Sequence, residues 1–82
     1  MDTIENDARD LADATDRYYI ETGVFTYMTT GDIRAFIERD VVRVAAQLGT
    51  TTIERRRAER AARARHHENL AEYLEPPDSA VE

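Results

Sequence analysis

The chain has no cysteine, no lysine and no tryptophan, and it has three glycines and two prolines among its 82 residues. Without cysteine it can form neither a disulfide framework nor a thiolate metal site. No apolar run reaches the roughly 18 residues that a membrane-spanning helix needs, and the acidic N-terminus lacks the basic-then-apolar order of a signal peptide. We therefore expect an intracellular, cytoplasmic protein, or a component of an assembled particle, with no membrane contact.

Large apolar side chains are also scarce. Leu, Ile, Val and Phe together number 16 of 82 residues, and 12 alanines supply much of the other apolar content. Alanine favours helix but buries little surface, so a core built from it is thin. With a net charge of -6, this composition predicts marginal stability as a monomer and favours a homo-oligomer or a complex with another protein.

All eleven basic residues are arginine. This usage is typical of a GC-rich genome, and the loss of lysine beside abundant acids is typical of a halophilic surface, while the small size suggests a viral or mobile-element accessory protein. Charge is also segregated, because residues 1–42 sum to -6, residues 43–67 to +5 and residues 68–82 to -5. Such blocks can complement each other between two copies, or the basic block can face a polyanion.

Apolar periodicity predicts an all-α fold with three helices. Asp2 and Glu5 have capping-box spacing, and a first helix from about Thr3 to Tyr19 follows, ending before Gly23. Residues 24–28 (V-F-T-Y-M) predict a short apolar connector packed between helices, with a short strand as the alternative. The apolar positions of this helix are Ile4, Ala8, Leu11, Thr15 and Tyr18, and its predicted solvated acidic face is Asp7, Asp10, Asp13 and Asp16.

The second helix has the clearest amphipathic pattern. Thr29 and Asp32 have capping-box spacing at its start, and Gly49 marks its end. After three threonines, Ile53 to about Glu75 predicts one long third helix that two prolines stop. We therefore expect residues 1–75 to form a single helical domain and residues 76–82 a disordered tail. The apolar stripe of the second helix is Ile33, Phe36, Ile37, Val41, Val44 and Leu48.

The third helix has no large apolar side chain between Ile53 and Leu70. Because most helical stability in proteins comes from packing an apolar face, something outside this segment must hold it. One edge carries basic residues at helical spacing, which favours a partner-facing role: Arg56, Arg60, Arg63 and His67. The opposite edge is rich in small residues and favours a seam for self-association: Ile53, Ala61, Ala64, Ala71 and Leu74.

Aromatic residues are concentrated between residues 18 and 27, where they either cap the core or form an exposed contact surface. Together with the basic edge they give the predicted partner-binding set: Arg56, Arg60, Arg63, His67, Tyr18, Tyr19, Phe25 and Tyr27. The chain has no cysteine, no serine before Ser79 and no glycine-rich phosphate loop, so we predict no catalytic residue and no cofactor. His66 and His67 point about 100° apart on a helix, so we predict surface histidines and no metal site.

We therefore predict a non-enzymatic module for protein–protein interaction or assembly. The alternative is DNA binding, because Val44 to Gly49, three threonines and an arginine-rich helix resemble a helix-turn-helix unit. The resemblance implies a recognition helix that reads the major groove through Thr51, Thr52, Arg55, Arg56, Arg60 and Arg63. A pI near 4.8 is low for a nucleic-acid-binding domain, which places this function second.

Overall fold

The computed structural model describes residues 3–74, and these residues form helices and no strand. Three long helices pack against one another, which confirms the predicted all-α three-helix arrangement. Asp2 of the first predicted capping box and the predicted disordered tail, residues 76–82, lie outside the described residues. The elements are α1 (Thr3–Thr22), a 3₁₀ helix (Val24–Tyr27), α2 (Thr30–Leu48), α3 (Thr52–Asn69) and α4 (Ala71–Leu74).

Side-chain caps fix the starts of α2 and α3. Thr29 Oγ1 accepts the Asp32 N–H at 3.0 Å, and the Asp32 carboxylate accepts the Thr29 N–H at 3.2 Å, which confirms the predicted capping box. Thr51 and Glu54 form the same reciprocal pair at the start of α3. Each box satisfies N–H groups that the first turn of a helix otherwise leaves without partners.

The connector between α1 and α2 is helical and apolar. Gly23 ends α1 in the left-handed region (φ 77), which glycine adopts without a steric penalty. The 3₁₀ helix that follows buries Phe25, whose ring packs 5.2 Å from the ring of Phe36. The predicted short apolar connector is therefore confirmed, and its alternative as a strand is wrong.

The predicted third helix is interrupted near its C-terminal end. Leu70 leaves helical geometry (φ -109, ψ 15), although its N–H still bonds the carbonyl of His66, and the short α4 follows. The bend buries Leu70 fully and brings Tyr73 to 5.4 Å from Phe25, ring to ring. The prediction of one continuous helix to Glu75 was wrong, because this packing at the connector outweighs the local helix propensity.

The three long helices run up, down and up, so that α1 and α3 are parallel. Glu5 pairs with Arg57 and Asp13 pairs with Arg65, and both partners are 52 residues apart. The α1–α3 interface between them is built from alanines, whose small side chains allow close helix approach. The buried alanines are Ala8, Ala12, Ala58, Ala61 and Ala62.

This alanine interface holds α3 in place. The helix packs on α1 and α2 of its own chain, so its order does not require a second molecule. Ala61 and Leu74, predicted to form a self-association seam, are buried within the chain, while Ile53 is 70% exposed. The predicted seam was therefore wrong for Ala61 and Leu74, which pack within the chain; Ala64 is exposed like Ile53 and Ala71 is half-buried, and for these three residues the seam stays a prediction. Larger apolar side chains come mainly from α2: Ile33, Ile37, Val41 and Val44.

Gly49 lies where the α2–α3 turn approaches α3 most closely. A Cβ added there would lie 2.7 Å from the backbone nitrogen of Arg55, whereas one added at Gly31 would meet only the Thr29 hydroxyl at 3.8 Å. We expect Gly49→Ala to lower the free energy of unfolding by about 1–3 kcal/mol, because backbone must shift to relieve the overlap.

Urea unfolding with Gly31→Ala as the matched control measures this effect. Gly31 lies in the first turn of α2, so alanine there is expected to be neutral or to stabilise by up to about 1 kcal/mol. Equal stability of the two variants would contradict the close approach at Gly49.

Candidate functional site

A histidine lies in the centre of the three-helix packing. Ala58, Ala62, His66 and Leu70 follow one another at four-residue spacing on α3, and each is fully buried. The Phe36 ring approaches the imidazole edge-on at 6.0 Å between centroids. The prediction of a surface histidine was therefore wrong for His66, although the alanines four and eight residues before it, and the leucine four after, were a readable signal of the buried face.

His66 joins all three long helices. Its Nδ1 lies 2.8 and 2.9 Å from the two carboxylate oxygens of Asp16 on α1, and its Nε2 lies 2.7 Å from Asp40 Oδ2 on α2. A carboxylate only accepts hydrogen bonds, so a ring that serves both must donate from both nitrogens. With both carboxylates ionised, the ring that bridges them is the doubly protonated, positively charged imidazolium.

The electrostatics of the site agree with a charged ring. Burial alone would lower the pKa of His66, but hydrogen bonds to Asp16 and Asp40 and the charges of both carboxylates outweigh it and raise the pKa to about 9. For Asp40, burial acts to raise the pKa, and the hydrogen bonds from His66 and Arg43 more than offset it, so that the pKa is lowered. His66 is therefore positively charged and Asp40 negatively charged at neutral pH.

Polar side chains around the trio complete the network. Asn69 Nδ2 donates to Asp13 and Asp16 at 2.9 Å each, and Arg65 Nη1 donates to Asp13 at 2.9 Å. On the other side, Arg43 Nε donates to Asp40 at 2.8 Å. The predicted solvated acidic face of α1 was wrong for Asp16, which is 1% exposed, because it faces His66.

The geometry limits the chemistry of this site. Both ring nitrogens of His66 already bond carboxylates, so neither has a lone pair to act as a general base. The imidazole is sealed from solvent, and among residues 3–74 no set of three or more His, Cys, Asp or Glu side chains is arranged to hold a metal ion. The network is built to hold helices together at fixed positions.

Two surface grooves flank the network. The larger, with a volume of about 570 Å³, lies between α1 and α2; we call it the α1/α2 groove. Its α1 wall is Leu11, Ala14, Thr15, Tyr18 and Tyr19, and its α2 wall is Phe36, Arg39, Asp40 and Arg43. The smaller, about 360 Å³, is more polar and is lined by Asp13, Asp16, Arg17, Ile20, Glu21 and Asn69.

The predicted aromatic contact residues divide into two groups. Phe25 is buried at 2% exposure, and Tyr19 is half-buried against Phe36, with ring centroids 5.1 Å apart. These two rings belong to the core, so the prediction of Phe25 as a partner contact was wrong. Tyr18 is 62% exposed and lines the α1/α2 groove, while Tyr27 is 88% exposed and lies outside it.

The predicted basic edge of α3 is only partly open. Arg63 makes a bidentate pair with Glu38 of α2, with N–O distances of 2.8 and 2.9 Å, and this bond raises the pKa of Arg63 further. Arg56, Arg60 and His67 are exposed, and within the described part of the chain none of them makes an ion pair. The edge therefore presents two arginines and a histidine to solvent.

The residues predicted to contact DNA lie in the turn between α2 and α3 and on α3 itself. These two helices form a helical hairpin. The Glu38–Arg63 and Asp40–His66 contacts lie far from the turn, so α2 and α3 run antiparallel along much of their length. A helix-turn-helix unit joins its helices at about 90–120°. Thr51 caps α3, Thr52 begins it, and Arg55 Nη1 folds back to the carbonyl of Gly49 at 3.4 Å. DNA binding stays a prediction without added geometric support.

In the part of the chain between Thr3 and Leu74, no helix is both long and apolar enough to cross a membrane. Comparisons of the chain with protein-family models, with curated proteins and with solved structures give no match.

Proposed function

We propose that this chain is a non-enzymatic interaction module that binds another protein or another copy of itself, and that it does so through the α1/α2 groove. The observation that carries the proposal is the exposure of Tyr18 on that groove, in a chain with few large apolar side chains to spare. Tyrosine is enriched at protein interfaces because it buries a large ring while its hydroxyl remains satisfied.

The surroundings of Tyr18 support a contact surface. Val42, on the outer side of the α2 wall, is 61% exposed, and Ala35 and Ala46 share its exposed stripe. These positions on a solvated helix are ordinarily polar. The α2 helix therefore presents apolar and small side chains outside its core face as well as within it, next to the groove that Tyr18 lines.

The chemistry of the interior supports a non-enzymatic role. His66 is enclosed, and both of its ring nitrogens are hydrogen-bonded to carboxylates. Thr15, the hydroxyl nearest this network on the groove wall, bonds the Leu11 carbonyl and accepts from Arg43, so no base activates it as a nucleophile.

Site-specific photocrosslinking in cell extract tests the proposed function. We expect a photoreactive phenylalanine analogue at Tyr18 to give a discrete covalent adduct, because a bound partner would cover this ring. The same analogue at Tyr27 is the matched control, since that tyrosine is exposed but lies outside the groove. No adduct at Tyr18, or an adduct at Tyr27 alone, would contradict the proposed function of the groove.

A further inference from the structure

The α1/α2 groove is the weakest of the three helix junctions. In the described part of the chain, one side-chain hydrogen bond joins α1 directly to α2, from Arg43 Nη2 to Thr15 Oγ1 at 3.2 Å. The rings of Tyr19 and Phe36 also join the two helices by a direct contact. His66 of α3 links them indirectly, because it bonds Asp16 of α1 and Asp40 of α2. An open groove of about 570 Å³ remains between α1 and α2.

Charge is distributed unequally along this groove. Arg39 and Arg43 line its α2 wall, and Arg39 makes no ion pair within residues 3–74. On α1, Asp7 and Asp10 are exposed one turn before Leu11 and Ala14, on the same side of the helix. Asp10 likewise has no ion-pair partner among the described residues. Acidic side chains thus lie beyond the N-terminal end of the α1 wall, and arginines lie on the α2 wall.

The antiparallel course of α1 and α2 places these charges at different heights. Thr15 lies level with Arg43, and Tyr19 lies level with Phe36, so Arg39 is level with about residue 17 of α1. Asp10 is then roughly 10 Å away from Arg39 along the groove, at 1.5 Å per residue. A two-fold axis passing near Ala14, midway between these heights, exchanges the acidic part with the arginine part.

We infer that the partner in the α1/α2 groove is a second copy of this chain, related by a two-fold axis across the groove. The inference rests on the proposed function and names its partner. An isologous interface must be complementary to itself, and here rotation brings Arg39 of one copy toward Asp10 of the other, twice in each dimer. The small Ala14 lies at the centre between these pairs, and Tyr18 of each copy lies beside one pair, about level with Arg39.

Sedimentation equilibrium of the full chain, from micromolar to millimolar concentration and at low and high salt, tests the inference. We expect a monomer–dimer equilibrium that salt weakens, because charge pairs at the rim are screened. Arg39→Glu and Asp10→Arg, each alone, are expected to raise the dimer dissociation constant about tenfold or more, since each places like charges opposite one another twice. Arg60→Glu, on the exposed edge of α3, is the matched charge-reversal control and is expected to leave the constant unchanged.

Mixing the two variants gives the decisive readout. Chains carrying Arg39→Glu have acids at both positions, and chains carrying Asp10→Arg have arginines at both, so the mixture should form a heterodimer close in affinity to the natural dimer. Circular dichroism checks that each variant remains folded, which we expect because both side chains are exposed and without ion pairs in the described part of the chain.

The alternative outcomes are separable. A monomer at every concentration, a dimer that Arg39→Glu and Asp10→Arg leave intact, or a dimer weakened equally by Arg60→Glu would overturn the second-copy inference. The mass of the Tyr18 photoadduct distinguishes this failure from failure of the proposed function. An adduct of twice the chain mass supports self-association, and a discrete adduct of another mass overturns self-association while leaving the interaction module in place.

Discussion

Replacing His66 with alanine is expected to lower the free energy of unfolding by about 3–5 kcal/mol, because one partner of a buried ion network is removed while the others remain. Asp16 and Asp40 would keep hydrogen bonds from Asn69 and Arg43. Neither of these places a positive charge between the two carboxylates. Since a domain of this size has a total stability of about 4–12 kcal/mol, the variant should lie close to the folding threshold.

The adjacent residue provides a matched control. His67 is exposed on the same helix, one position from His66, and His67→Ala is expected to change the stability by no more than about 0.5 kcal/mol. Urea unfolding followed by far-ultraviolet circular dichroism measures both variants. Similar losses for the two histidines, or no loss for His66→Ala, would contradict the role of the Asp16–His66–Asp40 network in holding the helices.

The stability of the protein is expected to fall by about 3 kcal/mol as the pH rises from 6.5 to above 9. The pKa of His66 is raised from 6.5 to about 9 in the folded chain, and one pKa unit corresponds to about 1.4 kcal/mol. A raised pKa means that the folded state binds the proton more tightly. This contribution is therefore complete below 6.5 and is lost as the pH passes through the folded value near 9.

Lowering the pH is also expected to reduce the free energy of unfolding, through carboxylates instead of His66. The pKa of Asp40 is lowered from 3.8, and the bidentate bond to Arg63 lowers the pKa of Glu38 from 4.5. Carboxylates with lowered pKa contribute stability that is present above their ordinary pKa and is lost as the pH falls. The free energy of unfolding should thus be greatest between about pH 4.5 and 6.5.

Urea unfolding at a series of pH values checks this profile, with His67→Ala as the control that should keep it. Arginine does not titrate in the alkaline window, and there is no cysteine or lysine to add a slope. A flat profile between pH 6.5 and 9 in the unmodified chain would show that His66 does not carry the stabilising charge.

Residues close together in the sequence were enough to predict the three long helices and the start of α2. The stripe of α2, the Thr29–Asp32 capping box and Gly23 each depend on residues within a few positions of one another, and short-range chemistry decides them. The end of α3 was missed because it depends on distant packing of Leu70 and Tyr73 near Phe25. Local propensity alone favours continuing that helix.

The buried network could not be read from local patterns in the same way. Asp16, Asp40 and His66 are each polar, and polar residues of these types are mostly exposed in proteins, so their sequence predicts that they lie in solvent. Asp16 is 50 residues and Asp40 is 26 residues away from His66 in the sequence. Only the packing of the three helices brings these side chains together. One local signal did exist, since His66 continues the four-residue repeat of Ala58 and Ala62.

The network also explains why the α1/α2 groove is open. Asp16 and Asp40 both reach His66 on α3, so α1 and α2 are held to α3 and are joined to each other at few points. Alanines let α1 approach α3 closely. A side of α1 that does not pack on α3 therefore faces the groove. The charged ring therefore fixes the positions of the two groove walls that the proposed partner contacts.

The protonation state of His66 in solution shows most clearly whether a charged imidazole joins the three long helices. Nitrogen-15 spectra of the histidine side chains at neutral pH are expected to show one imidazolium with both ring N–H bonds present and protected from exchange with water, assigned to His66 by comparison with His67→Ala. A neutral ring at neutral pH, with one nitrogen lacking its proton, would contradict a cationic imidazole bridge between Asp16 and Asp40.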